Sequence, residues 1–534
     1  MANPALALDF ENRSHRSITL IGQDTALYAS LIPIEVAVGT RCVVVDVFDG
    51  HAIVATTTDH CETVSDILFK AGFPATFVRC DATTVSQLLS RVYLTTATDL
   101  AERDGASSRG VVRWMQHSFT MRLLSIAIPF VALLLLCALL PQIMLGMGSV
   151  LLVGIVAFRM WITRRSLTEW QPSKALINDD TLPEISLLVP LYKESEIVPR
   201  LLAHLSRLAY PSSKYEVLFL LEAADSQTRA ALARTTLPTN MRVLHIPAGT
   251  VQTKPRAMNA ALPFTSGSII GVYDAEDAPD PMQLSEVAEA FSRIEGLACV
   301  QAPLDIFNTS ASVLSGCFAV EYAMLFRIQN PSLAQDDLPI PLGGTSFFIR
   351  KDALYRLGAW DAFNVTEDAD LGLRLHAGGY KSAMVSRPTF EEAPSDIGAW
   401  KRQRSRWLKG FLLTWMTRQG GSMRLFAAAM LLGPVVAATI GLASLPLWFI
   451  AASPGGLING APLTAFLGLA LLSELSLFSI GWRALRERHL RHLRPYLLVM
   501  PFYRLLLIPA LLKALIEAIR TPAYWDKTQH GIHG

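Results

Sequence analysis

Residues 184–194 have the sequence EISLLVPLYKE, in which an apolar run ends at a proline and a polar, turn-like stretch follows. This pattern predicts a buried strand that leads through a turn into a helix. Residues 216–221 and 268–273 are two further apolar runs, with helical patterns between the three. Apolar strands that alternate with helices indicate a parallel sheet whose ligands bind at the carboxyl ends of its strands. The sequence therefore predicts an α/β domain with a site at that edge.

Acidic side chains follow two of the predicted strands. Glu222 and Asp225 follow the second strand, and Asp274, Glu276 and Asp277 follow the third. Asp274 and Glu276 are two positions apart in extended chain, which places both carboxylates on one side, where they can hold a divalent cation. An acidic loop after a strand is also common as a solvated turn, and the Ala-Pro-Asp that follows is turn-like. The strand ends alone leave both a metal site and a plain turn open.

Charged residues elsewhere in this region are candidates for further contacts. Lys254 and Arg256, just before the third strand, are placed to meet phosphate oxygens, and an ordinary basic surface is the alternative. Glu367 and Asp368 begin a predicted helix that stops at Gly378. One of these carboxylates can act as a base toward a hydroxyl group, although acidic residues at a helix start also favour the helix dipole.

The sequence QRSRW at 403–407 predicts a helix on which Gln403, Arg406 and Trp407 share one face. An indole beside a guanidinium and an amide suits a sugar ring, whose apolar face stacks on aromatic rings while its hydroxyl groups form hydrogen bonds. The alternative is a basic, aromatic anchor at a membrane surface. In isolation the motif leaves both interpretations open.

The composition excludes two broad classes of protein. The chain has 534 residues, of which 51% are hydrophobic and 17% are charged, with a net charge of +2. This is too apolar for an ordinary soluble protein and too charged for one that lies wholly in a membrane. The near-neutral charge gives no support for nucleic acid as a partner. Six cysteines without a C-x-x-C pair argue against a zinc site or a disulfide framework, and they suit a reducing cytoplasm.

Apolar stretches predict membrane helices on both sides of the α/β region. Arginines at 159–165 and 483–494 mark cytoplasmic ends of these helices, so the α/β domain is expected in the cytoplasm, in a multi-pass protein of a bacterial inner membrane. The predicted segments, in order, are two transmembrane helices in 122–162, the α/β domain at 173–420, two transmembrane helices in 424–481, a helix at 496–519 that crosses the membrane or lies in its surface, and a tail at 520–534.

Residues 20–100 predict a small N-terminal α/β domain, from β-branched runs at 36–38 and 42–47 and two helical patterns. The domain resembles the N-terminal domain of type II secretion ATPases, some relatives of which bind cyclic di-GMP. The arginine-leucine-glycine start of their nucleotide motif is absent here. The resemblance implies a regulatory domain whose ligand is cyclic di-GMP or a partner protein, and a simple packing domain is the alternative.

Together, the motifs resemble those of the family 2 glycosyltransferases, in the processive branch that contains cellulose, hyaluronan and chitin synthases. The order and spacing of the motifs carry this resemblance: Glu222 with Asp225, Asp274-x-Glu276, Thr366-Glu367-Asp368, and Gln403-x-x-Arg406-Trp407. A narrower similarity is to bacterial members such as bacteriophage adsorption protein B. It rests on PLGGTS at 341–346, on GAWD at 358–361, and on Trp525, Lys527, Thr528, His530 and Gly531.

The resemblance implies a GT-A fold, with a Rossmann-like mixed sheet, and an inverting single displacement on a nucleotide-sugar donor, with a UDP-sugar expected. Asp368 would be the general base, beside Glu367. Mg²⁺ or Mn²⁺ would be held by Asp274 and Glu276. The implied donor contacts are Glu222, Asp225, Lys254, Asp274 and Arg406, and the implied acceptor contacts are Gly344, Thr345, Gln403 and Trp407.

The sequence departs from the family pattern at two positions. Glu276 replaces the second aspartate of the usual Asp-x-Asp motif, so Asp277 is a further candidate for the metal. Glu222 replaces the first aspartate of the family, which weakens the expected nucleotide contact there. The expected acceptor is a growing glycan that leaves between the membrane helices, among membrane lipids. Single transfer to a lipid carrier and a non-catalytic nucleotide-sensing scaffold are the alternatives.

Overall fold

A computed structural model describes residues 31–103, 105–165, 181–418, 433 and 461–525. Three predicted segments lie outside these residues: the first membrane helix in 424–481 apart from residue 433, residues 526–534 of the tail, and the start of the N-terminal domain. The described chain contains an N-terminal domain, a large α/β domain and several apolar helices.

The N-terminal domain is a small sheet covered by helices. Its elements are α1 (Ile34–Thr40), β1 (Cys42–Phe48), β2 (His51–Thr56), α2 (Glu62–Lys70), β3 (Ala75–Arg79) and α3 (Ala82–Arg103). The sheet has the order β1-β2-β3, with β1 antiparallel and β3 parallel to β2. The β-branched run at 36–38 lies in α1 and not in a strand, because Ile34 and Ala37, three positions apart, are buried on one helical face.

The large domain is built on a mixed seven-stranded sheet. The strands of the whole domain are β4 (Ile185–Leu191), β5 (Tyr215–Glu222), β6 (Met241–Ile246), β7 (Ile269–Val272), β8 (Ala278–Pro279), β9 (Leu297–Gln301), β10 (Leu304–Ile306), β11 (Phe347–Arg350), β12 (Lys381–Met384) and β13 (Thr389–Glu391). The main sheet has the order β12-β9-β11-β7-β4-β5-β6, and β10, β13 and β8 form a second, small sheet. Strand β11 is antiparallel to both of its neighbours, so the sheet is mixed and not purely parallel. A mixed α/β, GT-A-like fold is confirmed.

Helices cover both faces of the sheet and extend away from it. They are α4 (Ala106–Arg109), α5 (Val111–Gln116), α6 (Phe119–Leu139), α7 (Pro141–Arg165), α8 (Val198–Leu205), α9 (Ser226–Ala233), α10 (Lys254–Ala261), α11 (Gln283–Arg293), α12 (Val313–Met324), α13 (Asn330–Gln335), α14 (Lys351–Arg356), α15 (Glu367–Ala377), α16 (Ile397–Thr417), α17 (Ala461–Ala484), α18 (Met500–Leu505) and α19 (Leu507–Arg520). Helices α8 and α11 bury one apolar face each against the sheet.

The N-terminal domain packs directly on the large domain. Helix α3 lies along α10, and one continuous apolar core contains residues of both domains. At the edge of the interface the Ser86 hydroxyl donates to the carbonyl of Phe264 over 2.7 Å, and Arg41 donates to the carbonyl of Thr265 over 2.8 Å. Arg242 on β6 donates to the Ser86 hydroxyl over 2.9 Å. These contacts hold Arg41 and the start of α3 against the amino-terminal ends of β6 and β7, away from the strand ends that carry the acidic residues.

Two of the helices in the described residues are long and apolar enough to cross a membrane. They are Leu145–Arg164 within α7 and Leu463–Ala484 within α17, and the α/β domain lies between them in the chain. The apolar part of α6 is shorter, Phe119–Leu133, and contains Pro129. The stretch predicted at 496–519 is a 3₁₀ helix, Arg488–Leu498, followed after a 69° bend by Met500–Arg520. This bent pair fits either a broken span or a re-entrant segment.

Candidate active site

The carboxyl end of β7 holds the predicted metal pair against a lysine. The Lys254 ammonium forms an ion pair with Asp274 and donates to the carbonyl of Gly344 over 2.8 Å. Burial lowers the pKa of Lys254, but the carboxylates of Asp274 and Glu367 outweigh this effect and raise it above its usual value. Lys254 is therefore a fixed positive charge, placed where the strand ends.

Asp277 supports the loop and does not reach the cavity. It is fully buried, and its carboxylate accepts from the backbone N–H of Asp274 over 2.7 Å and from the Thr345 hydroxyl. Burial, together with the charges of Asp274 and Glu276, raises its pKa well above the usual range. Both hydrogen bonds use Oδ2 and hold the loop, while Oδ1 is buried without a hydrogen-bond partner among the described residues, so a share of Asp277 in a metal site stays a prediction. Thr345 is likewise buried by this bond and does not line the cavity.

Asp274 and Glu276 both line the cavity. Their carboxylates are suited to a cation that would also be bound by the donor. No group of three or more His, Cys, Asp or Glu side chains arranged for a metal occurs in the part of the chain that the structure describes. Mg²⁺ and similar ions are commonly bound by one or two carboxylates together with substrate phosphates. The pair can therefore hold a divalent ion only jointly with the phosphate oxygens of a ligand.

The start of α15 places two carboxylates in the same part of the cavity, and one of them lies next to Gly344. Gly344 has a φ of +81°, and a Cβ added to it would lie 3.0 Å from Oδ2 of Asp368. Oδ1 of Asp368 accepts from the backbone N–H of Ala369 over 2.8 Å. Burial raises the pKa of Asp368, and burial with the nearby Asp368 charge raises that of Glu367 to about 8. The site thus contains one carboxylate that accepts protons more readily than usual and one that is largely protonated at neutral pH.

Helix α16 brings the QRSRW motif to the same cavity. It approaches closely because residue 410 is a glycine, where a Cβ would lie 2.3 Å from the Thr366 hydroxyl. Gln403, Arg406 and Trp407 all line the cavity, as their shared helical face predicts. The charges of Glu367, Asp368 and Asp274 all act on the Arg406 guanidinium, while burial lowers its pKa.

Two atoms of this motif are buried without hydrogen-bond partners among the described residues, namely Nε of Arg406 and Oε1 of Gln403. A buried polar atom without a partner is costly, so unpaired atoms that face a cavity indicate a polar ligand. The Trp407 ring lies beside Tyr322, with centroids 6.4 Å apart and planes at 26°. The motif thus offers an aromatic wall next to polar atoms that are free to bind.

Of the two predicted residues that follow β5, one lies in the cavity and the other caps a helix. Glu222 lines the cavity, 3.7 Å from the Arg256 guanidinium, and burial raises its pKa. Asp225 accepts from the N–H of Thr228 over 3.1 Å at the start of α9 and from the N–H of Lys193 over 2.5 Å. Its carboxylate therefore holds two backbone segments.

The prediction of a phosphate contact by Arg256 is wrong, since its fully buried guanidinium donates to carbonyls of its own loop.

Several site residues have no signal in the sequence. Glu391, at the end of β13, lines the cavity, and burial, with the charges of Asp277 and Glu276, raises its pKa well above the usual range. Trp525 lies 4.5 Å from the Arg406 guanidinium and belongs to the tail motif of the family resemblance. Arg404, inside the QRSRW motif, also lines the cavity, and its guanidinium stacks on the Trp407 ring. Contacts with residues that are distant in the sequence position these three side chains.

Apart from Asp225, Arg256, Asp277 and Thr345, the residues predicted for the site line one cavity of about 2070 Å³. At one end it contains Glu222, Lys254, Asp274 and Asp368. At the other it is lined by apolar side chains of the candidate membrane helices α7 and α17 and by residues 504–525. The distant acidic motifs and the Trp407 helix therefore converge, and the convergence lies next to apolar helices.

Comparison with known proteins gives the class of enzyme to which this domain is similar. Residues 269–507 match the model of the family described as "Glycosyl transferase family group 2". The chain therefore carries a family 2 glycosyltransferase domain, which confirms this part of the resemblance stated from the sequence.

Curated relatives are similar over the same part of the chain. A "Probable glycosyltransferase YdaM" of Bacillus subtilis is 24% identical over 47% of this chain and 60% of its own length. A "Beta-monoglucosyldiacylglycerol synthase" of Trichormus variabilis is 29% identical over 43% and 49%. A "Poly-beta-1,6-N-acetyl-D-glucosamine synthase" of Staphylococcus aureus is 25% identical over 44% and 56%. The matched region thus spans about half to three fifths of these relatives.

Proposed function

We propose that the chain catalyses inverting transfer of a sugar from a nucleotide-sugar donor, with a UDP-sugar as the first candidate, to an acceptor hydroxyl at the cytoplasmic face of a bacterial inner membrane. The observation that carries this proposal is the placement of Asp368 and the Lys254–Asp274 pair around Gly344 in one cavity. A base and a cation-binding pair close to each other are the two halves of a displacement at an anomeric carbon.

The donor diphosphate is proposed to lie at the end of β7. Lys254 and Arg406 supply positive charge for its oxygens, and Glu222 lies where the nucleoside would enter. Asp274 and Glu276 would hold Mg²⁺ or Mn²⁺, which neutralises charge on a departing diphosphate when it is bound. Lys254 then contributes a second, fixed charge on the same side of the leaving group.

Asp368 is the proposed base. It takes the proton of the acceptor hydroxyl as the new bond forms from that oxygen to the anomeric carbon and the bond to the diphosphate breaks. Attack from the side opposite the leaving group inverts the anomeric centre. A raised pKa moves the carboxylate towards the pH at which it works, which makes it a better proton acceptor.

The leading acceptor is a growing glycan. Trp407 offers an apolar face for a sugar ring, and Gln403 and Gly344 lie beside it. The apolar helices at the far end of the cavity would give the product a path through the membrane. Similarity to a poly-β-1,6-N-acetylglucosamine synthase supports this choice.

Single transfer to a lipid is the second candidate, and the apolar end of the cavity favours it. A diacylglycerol-like acceptor would place its chains against α7 and its hydroxyl near Asp368. The name of the cyanobacterial relative, a β-monoglucosyldiacylglycerol synthase, supports this alternative. The N-terminal domain is proposed to regulate either reaction, through cyclic di-GMP or a partner protein.

Incubation of the purified protein with a panel of radiolabelled nucleotide sugars tests the proposal. One donor is expected to be consumed, and the size of the labelled product separates a polymer from a singly glycosylated lipid. The Asp368→Asn variant serves as the control for donor loss by contaminants. No consumption of any donor, with lipid and oligosaccharide acceptors present, would leave only the non-catalytic scaffold.

A further inference from the structure

The catalytic cavity continues into a region that we term the apolar limb, between the candidate membrane helices α7 and α17. Helix α7 provides most of its wall, in a stripe with helical spacing that runs towards the α/β domain. The residues that define the limb are Val150, Leu151, Gly154, Ile155, Phe158, Leu477 and Ile480.

Two arginines, Arg159 and Arg504, interrupt the apolar limb at the end nearer the α/β domain. Arg159 directly follows Phe158 on α7, five positions before the span ends at Arg164, and Ile162 lines the cavity beyond it. With a rise of ~1.5 Å per residue, the 20-residue span is about as long as the hydrocarbon core is thick, so Arg159 lies roughly 7.5 Å inside one boundary of that core.

The charges around the two arginines do not balance. Arg504 forms an ion pair with Glu474, but Glu474 does not line the limb and borders a separate small cavity of about 160 Å³. The remaining charge around this part of the limb is positive, because two guanidinium groups face one carboxylate. Charged side chains within a membrane are costly and commonly mark ligand sites.

The hydrogen bonds also leave donors free. Arg504 is 9% exposed, and its Nη1 is buried with no partner among the described residues. Arg159 donates from Nη1 to the carbonyl and hydroxyl of Ser473, over 2.7 and 2.8 Å. These bonds use a single nitrogen of the guanidinium, and Arg159 itself lines the limb. An anion with several acceptor oxygens would accept the hydrogen bonds that these arginine donors do not make within the described residues.

We propose that Arg159 and Arg504 bind the phosphate group of a lipid whose apolar chains lie along the α7 wall of the apolar limb. Guanidinium groups recognise phosphate through paired, charge-assisted hydrogen bonds. Most of the apolar wall on α7, from Val150 to Phe158, precedes Arg159, so the chains of such a lipid and its phosphate can be in contact with the wall and the cation together. The role of this lipid as acceptor rests on the proposed glycosyl transfer, whereas its binding does not.

Binding of dioleoyl phosphatidic acid and of dioleoylglycerol to the purified full-length chain, in detergent and without donor, tests the inference. Native mass spectrometry is expected to show at least about tenfold tighter binding of the phosphate-bearing lipid. Arg159→Gln and Arg504→Gln each lose most of this preference. Arg488→Gln, which alters an exposed arginine outside the limb, keeps it.

The single variant Arg504→Gln leaves Glu474 without its ion-pair partner. The double variant Arg504→Gln/Glu474→Gln replaces the pair by neutral side chains, and it tests whether the preference for the phosphate-bearing lipid depends on Arg504. Equal affinity of the wild-type chain for both lipids overturns the inference, as does an unchanged preference in Arg159→Gln. Full displacement of the lipid by millimolar inorganic phosphate overturns the assignment to a lipid. A chain that prefers phosphatidic acid but transfers no sugar contradicts the proposed function alone.

Discussion

Arg404 and Glu321 join helices α16 and α12 through paired hydrogen bonds of 2.9 and 2.6 Å. The Arg404 guanidinium also lies 4.4 Å from the centre of the Trp407 ring. The Tyr503 hydroxyl contacts both members of the pair, over 3.1 Å to Arg404 and 2.8 Å to Glu321. Arg404 is therefore a positioning residue that fixes the ring proposed to hold the acceptor sugar.

Replacement of Arg404 by methionine is expected to raise the acceptor KM by about tenfold while the donor KM stays unchanged, because a desolvated cation–π contact and the helix link are lost. Initial rates at varied acceptor and donor concentrations measure this. Arg404→Lys, which keeps the charge without the planar fork, should recover part of the loss. Equal increases in both KM values would indicate general damage and contradict a positioning role.

Chelation with EDTA is expected to stop transfer, and Mg²⁺ or Mn²⁺ to restore it. The variant Glu276→Gln should need about tenfold or more metal for half-maximal rate, since one of two proposed ligands is weakened. Asp280→Asn alters another acidic residue after the same strand, outside the cavity, and is the matched control. Full activity after chelation would remove the metal from the proposed mechanism.

The pH dependence of transfer follows from the shifted carboxyl groups. Asp368 must be ionised to act as a base, and because its pKa is raised, activity should fall on acidification at a pH above the usual aspartate range of about 3.9. Glu367, with a pKa raised to about 8, is mostly protonated over that interval. The variant Glu367→Gln should therefore keep the acidic limb of the kcat/KM profile and lose any change near pH 8. Loss of the acidic limb in this variant would assign the base role to Glu367.

Glu102 connects the N-terminal domain to the donor side of the site. Its carboxylate accepts from the N–H and hydroxyl of Thr250, over 2.9 and 2.5 Å, in the loop that leads to Lys254, and it lies 3.4 Å from Arg256. The variant Glu102→Ala is expected to raise the donor KM by about tenfold, since bonds to a charged group are lost. Donor titrations against Asp99→Asn, an exposed residue of the same helix, measure the effect. An unchanged KM would separate the N-terminal domain from donor binding.

The sequence was sufficient for elements whose signals are local. The strand patterns near 184, 216 and 268 correspond to β4, β5 and β7, and the helix predicted at 367–377 is α15. Strand ends and helical faces follow from periodicity, so Asp274, Asp368 and the Gln403-x-x-Arg406-Trp407 face could be located in advance. Their convergence in one cavity is the part that the fold supplies.

Residues placed by distant contacts could not be predicted in the same way. Thr345 and Asp277 lie in suitable motifs but bond to each other inside the loop, and Asp225 caps a helix. The link from Arg404 to Glu321 depends on how α16 crosses α12, which no local pattern specifies. The antiparallel strand β11 likewise depends on partners distant in sequence.

Transfer by the Asp368→Asn variant tests the central proposal most directly, because this change removes the base and keeps the shape of the side chain. The rate constant kcat is expected to fall by about a thousandfold, while the dissociation constant of the nucleotide sugar, measured by calorimetry, stays near that of the wild type. Turnover close to that of the wild type, with the donor bound normally, would contradict Asp368 as the base.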